Sequence, residues 1–110
     1  MDEHEGSRLL TEEFVRAGYD VEPDVPMTIG AATVHLDGWD AKRRVGFEFV
    51  TDEAGDRAEF DASVMAELEA MIGRGDCHVL LVDEHDGLAE PELRRVAQRF
   101  LAEVAARTKR

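Results

Sequence analysis

Cysteine is nearly absent from this chain: Cys77 stands alone among 110 residues. An internal disulfide is excluded, as is a zinc site built on cysteine pairs, and a reducing compartment such as the cytoplasm is the expected setting. Long apolar runs are missing too. The longest, Val79-Leu80-Leu81-Val82, falls far short of the roughly 20 residues a helix needs to cross a bilayer, so no membrane role is expected. The opening Met-Asp-Glu-His-Glu lacks the basic start and apolar stretch of a secretory signal. There are two serines, Ser7 and Ser63, and neither lies in a nucleophile elbow. Gly73-Arg74-Gly75 is too short for a phosphate loop and follows a helical pattern. The histidines His4, His35, His78 and His85 lack metal-ligand spacing. Cys77 has no neighbouring cation to lower its pKa and reads as a small buried residue. A standard nucleophilic or nucleotide-binding enzyme is therefore not expected.

Acid is what the chain has in excess. The formal net charge is −12, and lysine occurs only at positions 42 and 109. A phosphate backbone is repelled by such a surface, so a nucleic-acid partner is disfavoured. The last twenty-one residues run against the trend. They hold six Lys/Arg and three Glu, +3 in all, which leaves −15 on residues 1–89. At a helix C-terminus those cations would complement the macrodipole. Apolar content of 44% with 35% charged residues is globular composition, and the length suits one domain spanning 1–110. The arginine- and alanine-rich usage resembles that of GC-rich bacteria.

Periodicity gives the elements. Leu10, Phe14 and Ala17 predict a helix over 3–17, stopped by Gly18. Pro23 and Pro26 predict an extended connector over 19–29, with at most a short strand around 27–29. Residues 32–37 and 44–51 alternate and predict a β-hairpin across a turn at 38–43, with Phe47 and Phe49 on the core face. An acidic loop follows over 52–59. Phe60 precedes a helix over 61–72, striped by Val64, Leu68, Met71 and Ile72. Residues 77–82 read as a central buried strand. Pro91 opens a last helix with the clearest stripe in the chain, Leu93 to Val104. The fold class is α/β or α+β: a small mixed sheet containing a hairpin, in the order α-β-β-α-β-α, with helices covering it.

Two acids stand out within this order. Asp37 ends the first hairpin strand, and Glu48 lies on the polar side of the second. Adjacent strands bring such carboxylates together, and paired carboxylates hold a hard divalent cation for phosphodiester hydrolysis. A helix, an aspartate-bearing strand, a glutamate-bearing strand, a helix and a strand resemble the PD-(D/E)xK nuclease fold, whose smallest members are the archaeal Holliday junction resolvases. The resemblance implies Asp37 and Glu48 as metal ligands for Mg²⁺ or Mn²⁺, with Glu5 or Glu12 as an acid from the first helix. It departs from the family at one position: the lysine expected two residues after the glutamate is Val50. Lys42, Arg43 and Arg44 stand beside the turn and lack that spacing. The plain alternatives are a turn-initiating aspartate at 37 and an exposed, cation-paired glutamate at 48.

Two functions follow. The first is a non-catalytic acidic interaction protein, of immunity or antitoxin type or a regulatory partner, with no catalytic residues and no cofactor. Its binding surface is read as the acids Asp52, Glu53 and Asp56, with Trp39 in the hairpin turn as either an apolar anchor or a lid on the core. Its partner is read as a basic protein, and a homodimer is left open. The alternative is a divalent-metal-dependent nuclease using Asp37 and Glu48. Val50 places the interaction protein first.

Overall fold

The computed structural model describes residues 1–53 and 55–108, with Asp56 described in its backbone alone. Helix α1 (Glu3–Arg16) leads into strands β1 (Glu22–Ile29), β2 (Ala32–Asp40) and β3 (Val45–Val50). A single turn, α2 (Asp56–Glu59), precedes α3 (Ala62–Gly73), β4 (His78–Asp83), a 3-10 turn (Glu84–Asp86) and α4 (Glu90–Thr108). The class is α+β with a four-stranded sheet in the order β1-β2-β3-β4. The first two pairings are antiparallel, and β3 runs parallel to β4.

The helices begin where the sequence supplies caps. The Asp2 carboxylate accepts from the Glu5 N–H at 2.8 Å, and Asp61 accepts from the Val64 N–H at 2.9 Å, each satisfying a donor the helix cannot. Two apolar layers sandwich the sheet. Leu9, Leu10 and Phe14 of α1 and Leu93, Ala97 and Leu101 of α4 pack on Val45, Phe47, Phe49 and Val82. On the other face, Val64 and Leu68 of α3, with Phe60, cover Met27, Ile29, Val34, Leu36, Trp39 and Val79.

Several boundaries differ from the sequence expectation. The connector over 19–29 is mostly a full strand, β1, which pairs with β2 along its length. Its prolines are tolerated because β1 is an edge strand, where alternate N–H groups face away from the ladder. The first hairpin strand runs on to Asp40, so Asp37, Gly38 and Trp39 lie within β2 rather than in a turn. Gly38 is needed for packing: a Cβ there would lie 2.2 Å from the Phe47 ring. The turn is instead organised by Asp40, 1% exposed. Its carboxylate accepts from the backbone N–H groups of Asp20, Lys42 and Arg43 and from the Arg43 guanidinium. β4, expected to be central, is an edge strand. Its apolar run reflects helix layers on both faces, since Val82 belongs to one cluster and Val79 to the other. The acidic loop contains the α2 turn, so the order gains both β1 and α2.

Candidate functional site

β2 and β3 part company at one point. Their ladder holds Asp40↔Val45, Trp39↔Gly46 and Gly38↔Phe47, and goes no further. Side-chain alternation breaks there as well. Leu36 and Trp39 lie in the same cluster, although Gly38 backs onto Phe47 on the opposite side. The next opposed pair would be Asp37 and Glu48, and their side chains replace the lost ladder. The Asp37 N–H donates to Glu48 Oε1 at 2.9 Å, and the Phe49 N–H donates to Asp37 Oδ2 at 2.8 Å. Each carboxylate therefore satisfies a strand donor that the divergence would leave unmet.

The structure thus brings Asp37 and Glu48 together, but in an unexpected environment. Glu48 is 1% exposed, which corrects its reading as an exposed, cation-paired strand residue. Asp37 is half-buried and starts no turn. Val50, two residues after Glu48, is buried. Glu12 of α1 does not join the pair: it is held by Arg8 and Arg94. Glu5 is exposed and lies 4.0 Å from Arg8. Among the described residues, Asp37 and Glu48 belong to no group of three metal-ligating side chains. Among the described residues no third ligating side chain joins Asp37 and Glu48, and the position two residues after Glu48 is Val50 rather than a lysine.

A second polar cluster sits beyond the carboxyl ends of β3 and β4, the end at which open α/β sheets commonly bind ligands. Asp52 follows β3; Asp83 ends β4, and Glu84 and His85 follow it. The Arg57 guanidinium from α2 donates to both Asp83 oxygens at 2.6 Å and also to Asp52. His85 Nε2 lies 2.8 Å from Asp52 Oδ2, and the Asp52 N–H donates to Glu84 Oε1 at 2.7 Å. The Arg57 guanidinium, helped by the His85 N–H, holds Asp83 well below the usual carboxylate range. Arg57 and then His85 lower Asp52 in the same way, and the two carboxylates raise Arg57. Asp52, Glu84 and His85 offer ligand atoms within 4.8 Å of one another. Arg57 pairs with two of the three carboxylates in this cluster, so the geometry describes an ion-pair clasp between α2 and the sheet end.

This clasp was not anticipated from the sequence. A signal was present: Val82-Asp83-Glu84-His85 places three polar groups at the end of an apolar strand, and Arg57 is the only cation in the acid run 52–61.

The expected binding residues divide. Asp52 and Glu53 are exposed, as anticipated, but Asp52 is ion-paired. The Asp56 side chain lies outside the described residues. Trp39 is corrected as an anchor: it is 6% exposed, lies on the α3 face of the core, and has the Arg44 guanidinium 5.6 Å from its ring centroid. It covers the core from within β2, as the lid reading expected, although not from a turn. Cys77 is buried, and burial raises its thiol pKa, so it is not an activated nucleophile. No described helix is long and apolar enough to cross a membrane.

The chain matches no family model, no curated protein and no solved structure.

Proposed function

We propose that this chain is a non-catalytic interaction domain, of immunity or regulatory type, on a PD-(D/E)xK-like scaffold. The observation that carries the reading is the use made of Asp37 and Glu48. Both carboxylates accept backbone N–H groups where β2 leaves β3, and the position that would carry the activating cation is Val50, buried. A carboxylate engaged in closing a strand divergence is a structural element, and fold alone does not confer activity. The lone free thiol of Cys77 favours a reducing, cytoplasmic setting, and the arginine- and alanine-rich usage resembles that of GC-rich bacteria. The partner is a basic protein, drawn by the −15 of residues 1–89. With Trp39 buried, the contact surface reduces to the exposed acids Asp52 and Glu53, with Asp56 beside them in sequence.

A metal-dependent nuclease is the second reading. It is favoured by the chain order, in which helix, three antiparallel strands, helix and a parallel strand follow one another, and by Asp37 standing opposite Glu48 at the divergence. One assay separates the two. Purified protein is incubated with duplex, branched and single-stranded DNA in Mg²⁺ or Mn²⁺. The interaction reading expects intact DNA; cleavage that Glu48→Ala abolishes would overturn it.

A further inference from the structure

The two edges of the sheet are built differently. β1 carries Glu22, Pro23, Pro26 and an Asp24 with φ of 51°, devices that discourage another strand from pairing. β4, His-Val-Leu-Leu-Val-Asp, has no proline, glycine or lysine. Its only strand neighbour is β3, so one row of its backbone donors and acceptors meets no strand among the described residues. A groove of about 480 Å³ lies between this strand and α4, with Leu80, Leu88, Val96 and Phe100 in its walls. It shares Phe100 and Glu103 with a further cavity of about 190 Å³ that reaches the buried His78. Val96 is 36% exposed, one of three large apolar side chains left so open.

The charges along this groove are also distinct. Glu92, Arg95, Arg99, Glu103 and Arg107 recur at three- and four-residue steps, so they share one face of α4. Among the described residues, none of the five makes an ion pair, whereas Arg8, Arg16, Arg43, Arg57, Arg74 and Arg94 all do. In a chain of net charge −12, three of the four described arginines without an ion pair share this face; the fourth, Arg44, lies over Trp39 and donates to the Asp76 carbonyl.

We propose that two copies of this chain associate about a two-fold axis, pairing β4 with β4 and α4 with α4. An axis normal to the sheet at β4 runs the two strands antiparallel and brings both α4 helices to the same face. An isologous interface must be self-complementary, and the order of charges is. Laying α4 antiparallel on its copy about a centre near Arg99 and Phe100 sets Glu92 against the partner's Arg107 and Glu103 against the partner's Arg95, and places each Arg99 near the axis, between the partner's Arg99 and the partner's Glu103. The apolar residues Val96, Phe100, Leu80 and Leu88 then close between them. A basic protein would be repelled by the three arginines, and a uniformly acidic one would be opposed by Glu92 and Glu103, so the fitting occupant is a second copy. This inference uses other residues than the proposed function does and stands apart from it.

Light scattering or sedimentation across a concentration series at low salt tests it. The native chain should approach twice its 12.3 kDa mass. Arg95→Glu with Arg99→Glu changes exposed positions only and should weaken association about tenfold or more while circular dichroism stays native. Glu92→Arg with Glu103→Arg should do the same alone, yet mixing the two variants should restore a heterodimer. A native chain that stays monomeric at every concentration would overturn the proposal. So would a dimer indifferent to both variants, or a mixture that remains monomeric.

Discussion

Asp37 and Glu48 stitch together two strands that are separating: the Asp37 N–H donates to Glu48 Oε1 at 2.9 Å, while the Asp37 carboxylate accepts from the Phe49 N–H at 2.8 Å. The arrangement makes stability, rather than chemistry, the property that mutation there should disturb first. Glu48→Ala leaves a strand donor without its acceptor in the interior and should cost about 2–4 kcal/mol. Glu48→Gln keeps an acceptor oxygen and should cost less. Urea unfolding of both variants decides it; an alanine variant as stable as the native chain would remove the structural role.

Phe47 is fully buried, with its ring 4.9 Å from that of Phe14. Phe47→Ala should cost roughly 3–5 kcal/mol through the cavity it opens. Gly38→Ala should also destabilise, because its Cβ would meet that same ring at 2.2 Å. Denaturant midpoints report both, and a neutral Gly38→Ala would mean that the ring can move aside.

Asp40 gathers three backbone donors and one guanidinium at the end of β2. Asp40→Ala should lower stability by about 2 kcal/mol or more, while Asp40→Asn should retain part of the loss, having one acceptor oxygen in place of two. Hydrogen exchange at Lys42 and Arg43 should speed up in the alanine variant. Unchanged exchange would show that the turn holds without this acceptor.

Acid should unfold the protein in two stages. Burial lowers the His78 pKa, and the Arg107 charge lowers it further. Its folded value lies below its unfolded value of about 6.5, so its contribution is complete above that pH and is lost as pH falls toward the folded value. The carboxylates act later. Burial alone would raise Glu13 and Asp40, but Gln98 and Arg94 on the first, and the Arg43 and Asp20 N–H groups on the second, bring each below its ordinary value. Asp83 is held well below its ordinary value too, chiefly by Arg57. Their contributions are present above the unfolded carboxylate value of about 4 and vanish as pH falls through the folded values. Urea midpoints at neutral, mildly acid and strongly acid pH should fall in both intervals. His78→Phe should flatten the first fall and Arg94→Ala the second; slopes unchanged by either variant would reject the assignment.

Reversing the charges of Asp52, Glu53 and Asp56 together should slow association with a basic partner several-fold and steepen no salt dependence, because the electrostatic steering is removed. Asp52 also pairs with Arg57 and His85, so the Glu53 single reversal serves as the control that leaves the clasp intact. A recovered partner that binds the triple variant as fast as the native chain would discard this surface.

Much of the architecture was legible in the chain itself. The stripes Leu10-Phe14 and Leu93-Ala97-Leu101-Val104 marked α1 and α4, and Phe60-Asp61 marked the start of α3. Phe47 and Phe49 were assigned to the core face, and both lie there. These signals are local: they depend on which residues lie three, four or two positions apart. Asp37 and Glu48 were expected close together on adjacent strands, and hydrogen bonds do join the two residues, but beyond the last rung of the ladder.

What the chain could not announce is what each element would meet. Two prolines spoke against β1, and only the edge position of that strand, with β2 on one side, made them harmless. Trp39 read as a lid on the core or an anchor for a partner, and β2 extending past it with α3 over its face decided for the core. Val50 and Asp37-Glu48 looked like a damaged catalytic centre or an exposed pair, and the divergence of two strands turned the carboxylates into acceptors for backbone donors. Arg57 found Asp83 across twenty-six residues. Periodicity and capping are written within a few residues, so composition and helical pattern determined the elements. Burial, ion pairing and sheet edges arise between segments remote in sequence, so only the tertiary structure decided them.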